Sequence, residues 1–396
     1  MSLPAGHLNT ERAAAASVGV ISRAELAHCR SWQLAFARER KDHRYYEIVE
    51  DTVRQGFQYR YFAIRDDGNE MRAVQPFFIL DQDILVGVSP RIGALIEFVR
   101  RLFPRFMRMR ALMVGCAAGE GHLDGADDVS RGFHARALAS TIVGHARRQK
   151  ASLIVLKEFP ARYRASLECF VQRGFIRVPS MPMTKLNIDY PSFDDYMKRA
   201  LNSATRAKLR RKFRIAAQAP VIAMSLVGDL APLIDEVYPL YLAVYDRAKL
   251  RVEKLTKEFF CAIGRLMPDK ARFFVWRQDG RMVAFAMCVI EGDAIYAEHV
   301  GLDYSVALRL HLYHYIVRDM ITWAMANGYK WFRSGGLNYD PKLHLRHLLD
   351  PVDLYVRHTS PTCNAALKRA RPLLEPTRYD KTLRKFSNYH ELRVRS

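Results

Sequence analysis

Cysteine is sparse in this chain of 396 residues: six, at positions 29, 116, 169, 261, 288 and 363, with no CxxC among them. Such spacing argues against a zinc ribbon or a disulfide scaffold and fits a reducing compartment. Long apolar runs are missing as well. The longest, 282–290, has nine residues, whereas a membrane-spanning helix needs about 20. No GxGxxG follows an expected strand, and GxxxxGK[ST] and HExxH do not occur. That sets aside a Rossmann dinucleotide site, a P-loop and a zincin helix. Acidic charge is in deficit, with 41 Asp and Glu against 62 Lys and Arg and a formal net charge of +21. The excess favours an anionic partner: nucleic acid, anionic lipid, an acidic carrier protein or a phosphate-bearing molecule.

What is present is globular. Hydrophobic residues make up 49% and charged residues 26%, and the length suits two ordinary domains. An Ala-rich stretch at 13–21 follows Glu11 and lacks the basic start and clear cleavage site of a signal peptide. The expected location is cytoplasmic, with peripheral contact at the inner membrane as an option.

The second half reads as a meander. Strands are expected at 271–277, 281–290 and 294–301, separated by Gln278-Asp279-Gly280 and Glu291-Gly292-Asp293. A helix is expected at 307–326, closed by Asn327-Gly328, then a strand at 329–334. The first half repeats this grammar: strands at 59–65, 71–80 and 84–88, with Asp81-Gln82-Asp83 as a turn. A strand at 111–116, a helix at 132–150 and a strand at 152–158 follow. A second helix at 161–173 and one strand over 175–188 complete the unit. The expected class is α/β (α+β): two tandem modules of about 150 residues, each a mixed, mostly antiparallel sheet with packed helices. The expected divisions are an N-terminal helical segment 1–50, modules at 51–190 and 219–360, a basic linking helix at 191–218, and a basic tail at 361–396. Six positive charges fall between Arg206 and Arg214.

Residues 175–190, Tyr196, Ser203-Ala204-Thr205-Arg206 and Leu209-Arg210-Arg211-Lys212 resemble the join in tandem-repeat GNAT proteins of the Fem-like class. His299-Val300-Gly301-Leu302-Asp303-Tyr304, the helix after them, and Gly335-Gly336 with Lys342 and Arg346 resemble the second repeat of those proteins. The resemblance covers about residues 55–350 and implies an acyltransferase. Members move acyl or aminoacyl groups onto amines, from peptidoglycan precursors to lipid amines; bacterial ceramide synthases are of this general type. One departure concerns the donor. Ordinary GNAT enzymes hold the CoA pyrophosphate on a glycine-rich loop before the helix that follows the fourth strand. Here that place reads Asp303-Tyr304-Ser305-Val306-Ala307-Leu308-Arg309, without glycine. The first repeat has Gly115-Cys116-Ala117-Ala118-Gly119-Glu120-Gly121 instead.

Amide formation needs a base for the amine, donors for the oxyanion and a proton for the leaving group. Strand alternation puts Glu298 and His299 on opposite faces, so only one is expected in a given cleft. Either is a candidate base; otherwise Glu298 is a surface ion-pair partner and His299 a satisfied core residue. Tyr339 is a candidate proton donor. Arg309, His311, His314, Arg318, Lys342 and Arg346 are candidates for binding the donor's phosphates, or else line a solvated basic face. No metal and no permanently bound cofactor is expected. The expected co-substrate is an acyl-CoA or acyl carrier protein. Residues 92–112 interleave apolar side chains with arginines around Pro104, either as an interfacial segment or as a packed helix. With the resemblance, that segment points to a long-chain, sphingoid-type amine and a ceramide-type product. The alternatives are aminoacyl-tRNA-dependent transfer in cell-wall synthesis and a non-catalytic RNA- or membrane-binding protein. The basic 206–214 run has one aromatic, Phe213, so base stacking has little support and nucleic acid is the less expected partner.

Overall fold

The computed structural model describes residues 17–83, 108–248, 253–378 and 380–393. They form two seven-stranded sheets. The first is built from β1 (Ser17–Ile21), β2 (Gln58–Arg65), β3 (Met71–Asp83), β4 (Arg108–Val114), β5 (Leu153–Pro160) and β6 (Ile176–Pro179). The second is built from β7 (Met183–Asn187), β8 (Ile222–Val227), β9 (Ala271–Gln278), β10 (Arg281–Glu291), β11 (Ala294–Leu302), β12 (Trp331–Ser334) and β13 (Leu348–Asp350). The last strand, β14 (Val352–His358), returns to the first sheet.

The two sheets share one plan. The first runs β1-β2-β3-β4-β5-β14-β6 and the second β8-β9-β10-β11-β12-β7-β13. Each starts with four antiparallel strands, then adds one parallel neighbour: β5 beside β4, and β12 beside β11. Each ends with two further antiparallel strands, and the inner one is borrowed. β14 sits between β5 and β6, and β7 sits between β12 and β13. This is the tandem GNAT-like α/β architecture, with a reciprocal exchange of strands between the halves.

The exchange corrects the expected divisions. The strand expected over 175–188 is two strands, because Pro179 and Pro182 each lack an amide hydrogen and interrupt the ladder. The first piece, β6, stays in the first sheet; the second, β7, joins the other. The units 51–190 and 219–360 therefore do not close on themselves. The segment 1–50, expected to be helical, supplies β1 as well as α1 (His43–Thr52). Asp81 to Asp83, expected as a turn, continue β3 and pair with Arg110 to Arg108. The strand expected at 84–88, and most of the segment 92–112, lie outside the described residues.

Helices pack on both sheets. In the first half α2 (Asp128–Arg148) and α3 (Arg164–Gln172) flank β5. The linking stretch is two helices, α4 (Phe193–Ala200) and α5 (Ser203–Ala217), started by the side-chain caps Ser192 and Asn202. In the second half come α6 (Ile234–Tyr245), α7 (Lys257–Leu266), α8 (Leu312–Ala326) and α9 (Tyr339–His344). Residues 361–378 and 380–393 fold back as α10 (Pro361–Ala370) and short turns, burying Leu383, Phe386 and Leu392 against Tyr339 and Leu349. One apolar core joins the halves. It includes Trp32, Tyr45 and Val49 from the N-terminal stretch, Val74 and Phe78 from the first sheet, Phe259 from α7, and Val275 and Phe285 from the second sheet.

Candidate active site

Two parallel strands that stop pairing leave a V-shaped opening between them. β11 and β12 pair from Ala294–Trp331 to Ala297–Ser334 and then separate. β4 and β5 pair from Ala111–Leu153 to Val114–Leu156 and then separate. Both openings face one cavity of about 370 Å³. The second half contributes Glu298, His299, Val300 and 335–337; the first half contributes Ala118, Gly119, Glu120, Lys157 and Glu158. Tyr45, Tyr241, Glu253 and Leu255 close it.

Strict alternation fails at Glu298. Met287 faces His299 and Cys288 faces Ala297, so Glu298 is an extra residue on β11, a β-bulge. The bulge puts Glu298 and His299 on the same cavity, where alternation allowed only one. Burial, with Lys41 and then Arg40 nearby, pushes the His299 imidazole down to about 3, so it is neutral at ordinary pH. Its ring lies edge-on to Phe260, Tyr241 and Phe259 at 6.1, 6.2 and 6.4 Å.

Behind the cavity runs a buried ionic seam from the N-terminal stretch. Arg40, 1% exposed, pairs with Glu120 of the first half and Glu298 of the second. Its guanidinium also lies over the Tyr296 ring, 4.3 Å from the centroid. Lys41 donates to Glu120 at 2.8 Å and to the Ala118 carbonyl at 3.2 Å. Burial alone would raise the Glu120 carboxyl; Arg40 and Lys41, helped by His122, hold it well below the ordinary value. Lys157 donates to Gly119 O at 2.7 Å and to Glu158 at 2.9 Å. Glu253 differs from these. Burial raises its carboxyl above the ordinary value; Lys157 opposes this and Glu158 adds to it.

The glycine-rich 115–121 loop serves this packing. A Cβ on Gly121 would meet Phe159 at 2.8 Å and Lys157 O at 2.9 Å, and one on Gly119 would strike the Lys41 ammonium. The loop turns carbonyls toward two lysines rather than N–H groups toward a phosphate. Asp127 accepts from Ser130 N at 2.8 Å at the head of α2. After β11, Asp303 accepts from Ser305 N at 2.9 Å at the head of a four-residue helical turn, Tyr304–Ala307, that precedes α8. Asp303 is also 2.7 Å from Arg281.

The FemAB-like family model, described as peptidoglycan biosynthesis/recognition, matches residues 118–342. The chain belongs to the FemAB-like family. The matched stretch contains every charged cavity residue, from Glu120 to Glu298; Arg40 and Lys41 lie before it. No curated protein matches the sequence. Among solved structures, FemX is 13% identical, with 78% of this chain and 90% of that chain covered and a TM-score of 0.49. An L-PGS from Bacillus licheniformis is 11% identical over 82% and 94%, TM-score 0.49. The C-terminal domain of a putative lysylphosphatidylglycerol synthetase from Agrobacterium fabrum is 13% identical over 79% and 89%, TM-score 0.47.

In this FemAB-like chain the other expected site residues lie away from the cavity lining. Tyr339 is buried and donates to Pro182 O at 2.8 Å, so its hydroxyl holds the link between β6 and β7. Arg309 and Arg346 are exposed. His311, at φ +49°, starts α8. His314 is 2.8 Å from the Lys212 ammonium; burial, then Lys212, pushes its imidazole down to about 4. Arg318 pairs with Asp319 at 2.7 Å and lies over Tyr315 and Phe213. Lys342 acts from behind the wall: its ammonium binds Gly335 O at 2.5 Å and Leu337 O at 3.0 Å, fixing the loop after β12. Burial pushes it down to about 7. Sequence reasoning missed Arg40, Lys41, Lys157, Glu158 and Glu253. The one available signal was the Glu39-Arg40-Lys41-Asp42 run, dense in charge between Phe36 and Tyr45.

Proposed function

We propose that this FemAB-like protein transfers an aminoacyl group from an aminoacyl-tRNA to an amine of a cell-wall precursor. The observation that carries the choice of donor is what each half presents where a GNAT-type fold would hold a CoA pyrophosphate. The Gly115–Gly121 loop turns carbonyls toward Lys41 and Lys157, and after β11 Asp303, paired with Arg281, accepts from Ser305 N, so carbonyls and a carboxylate rather than a row of amides face those places. The family description supports the acceptor class.

Four glutamates line the cavity: Arg40 and Lys41 hold Glu120, Arg40 holds Glu298, Lys157 holds Glu158, and Glu253 is left as the carboxyl that burial raises. An aminoacyl group and an amine acceptor each carry an ammonium; a fatty acyl thioester carries none. Glu253, whose carboxyl burial raises, is the proton acceptor in this reading. The ammonium gives one proton to this carboxylate, and the freed nitrogen attacks the ester carbonyl. The carbon–nitrogen bond forms and the bond to the ribose oxygen breaks. The second proton from nitrogen passes to that oxygen. Glu298, fixed by Arg40, orients the acceptor.

Nothing in the family assignment favours a sphingoid amine, and the segment that motivated it lies mostly outside the described residues. The test is a donor comparison. Purified protein is incubated with a cell-wall peptide bearing a free amine and either labelled aminoacyl-tRNA or a labelled long-chain acyl-CoA. Ribonuclease-sensitive labelling from the first donor is expected. Labelling from acyl-CoA that survives ribonuclease overturns the proposal.

A further inference from the structure

The folded-back C-terminal stretch forms one side of a second, larger concavity. A cavity of about 1130 Å³ lies between α3, β6 and residues 368–393, and another of about 580 Å³ adjoins it. Arg371 and Arg393 line both, so the two make one groove. Seven arginine and lysine side chains line it against three glutamates.

Part of that charge is spent on structure. Arg164 pairs with Asp353 at 2.6 Å, and Arg371 and Arg378 share Glu375. Arg177, Lys368 and Arg393 have no carboxylate ion-pair partner among the described residues, and they line the larger cavity from three elements: β6, α10 and the last turn of the C-terminal stretch. Arg384 extends the line into the smaller one. Arginine dominates, and its planar fork suits paired phosphate oxygens. The groove also runs alongside the candidate active site. Pro351 lines the groove and its neighbour Val352 lines the central cavity; Pro179 and Met181 divide in the same way.

We infer that this groove binds the phosphate backbone of an RNA, holding it beside the cavity. A concave arginine-lined track follows a polyanionic chain, whereas an anionic bilayer presents a plane. Backbone pairing needs no stacking aromatics, so their scarcity does not weigh against it. As the docking place of the donor, the groove rests on the aminoacyl-tRNA reading; as a phosphate-binding surface it does not.

The test measures binding of uncharged tRNA to the full chain by fluorescence anisotropy over a salt series. The groove variant is R177E/K368E/R393E, with K368Q/R393Q as a milder version should the first fail to fold. The control is K208E/R211E on the exposed face of α5. The groove variants are expected to weaken binding at 0.1 M salt by about tenfold or more. The triple variant is expected to lower the salt slope by about 2 to 3, with the α5 control near wild type. Unchanged binding in the groove variants, loss confined to the α5 control, or groove-dependent binding to phosphatidylglycerol vesicles but not to tRNA overturns the inference. Loss of tRNA binding in a protein that shows no aminoacyl transfer keeps the groove and removes the donor reading alone.

Discussion

Arg40 carries two partners that belong to different halves of the chain, and it does so almost without solvent. Replacing it with methionine keeps much of its length but leaves Glu298 buried without its cation. A buried pair broken on one side costs about 3–5 kcal/mol, so R40M should show a clear fall in its urea midpoint. Adding E298Q removes the stranded charge, and R40M/E298Q should regain part of the loss. A midpoint for R40M equal to wild type would show that the pair is not formed in solution. Asp124 makes a second, pH-dependent case. Burial pushes its carboxyl up to about 6, against the amides of Val74, Phe36 and Gly125 that favour the charged form. A carboxyl raised on folding adds stability below its unfolded value near 4 that is lost as pH rises through 6, about 3 kcal/mol in all. The stability of wild type relative to D124N should therefore fall between pH 4 and pH 6.5 in parallel denaturation series. A constant difference would contradict the assignment.

Among the elements, the exchanged strands decide how the protein unfolds. β14 pairs with β5 and β6, and β7 with β12 and β13. Losing either half removes an inner strand from the sheet of the other. Calorimetry should show one cooperative transition, with van't Hoff and calorimetric enthalpies equal; two resolved transitions would contradict this. The meander 271–301, the helix ending at Asn327-Gly328 and the repeated helix–strand unit were legible from turn residues and periodicity, because those signals are local. The exchange was not legible. Residues 175–188 read as one β-rich run, and partner choice between two sheets is a long-range property that no local pattern encodes. The bulge at Glu298 was hidden for the same reason: it exists only against the register of β10. Glu298 and His299, picked out by residue type, line the cavity, while Tyr339 and Lys342 bond to backbone carbonyls behind its wall. The basic candidates Arg309 and Arg346 reflect a surface rich in charge, where arginine alone says little about a site.

At the scale of the whole molecule, a chain of net charge +21 encloses a central cavity lined by four glutamates. Positive charge on the outside favours a polyanionic carrier, and within the cavity Glu253 is the carboxylate proposed to take a proton from an ammonium group. The central claim is that an amine meets an activated carbonyl in that cavity, between the two separated strand pairs. Single-turnover transfer by E253Q and E298Q, each assayed well below its own thermal midpoint, tests it most directly. The account predicts that E253Q loses about 100-fold or more in rate together with the acidic limb of the pH profile, and that E298Q loses acceptor affinity. Wild-type rates and affinities in both variants would contradict it.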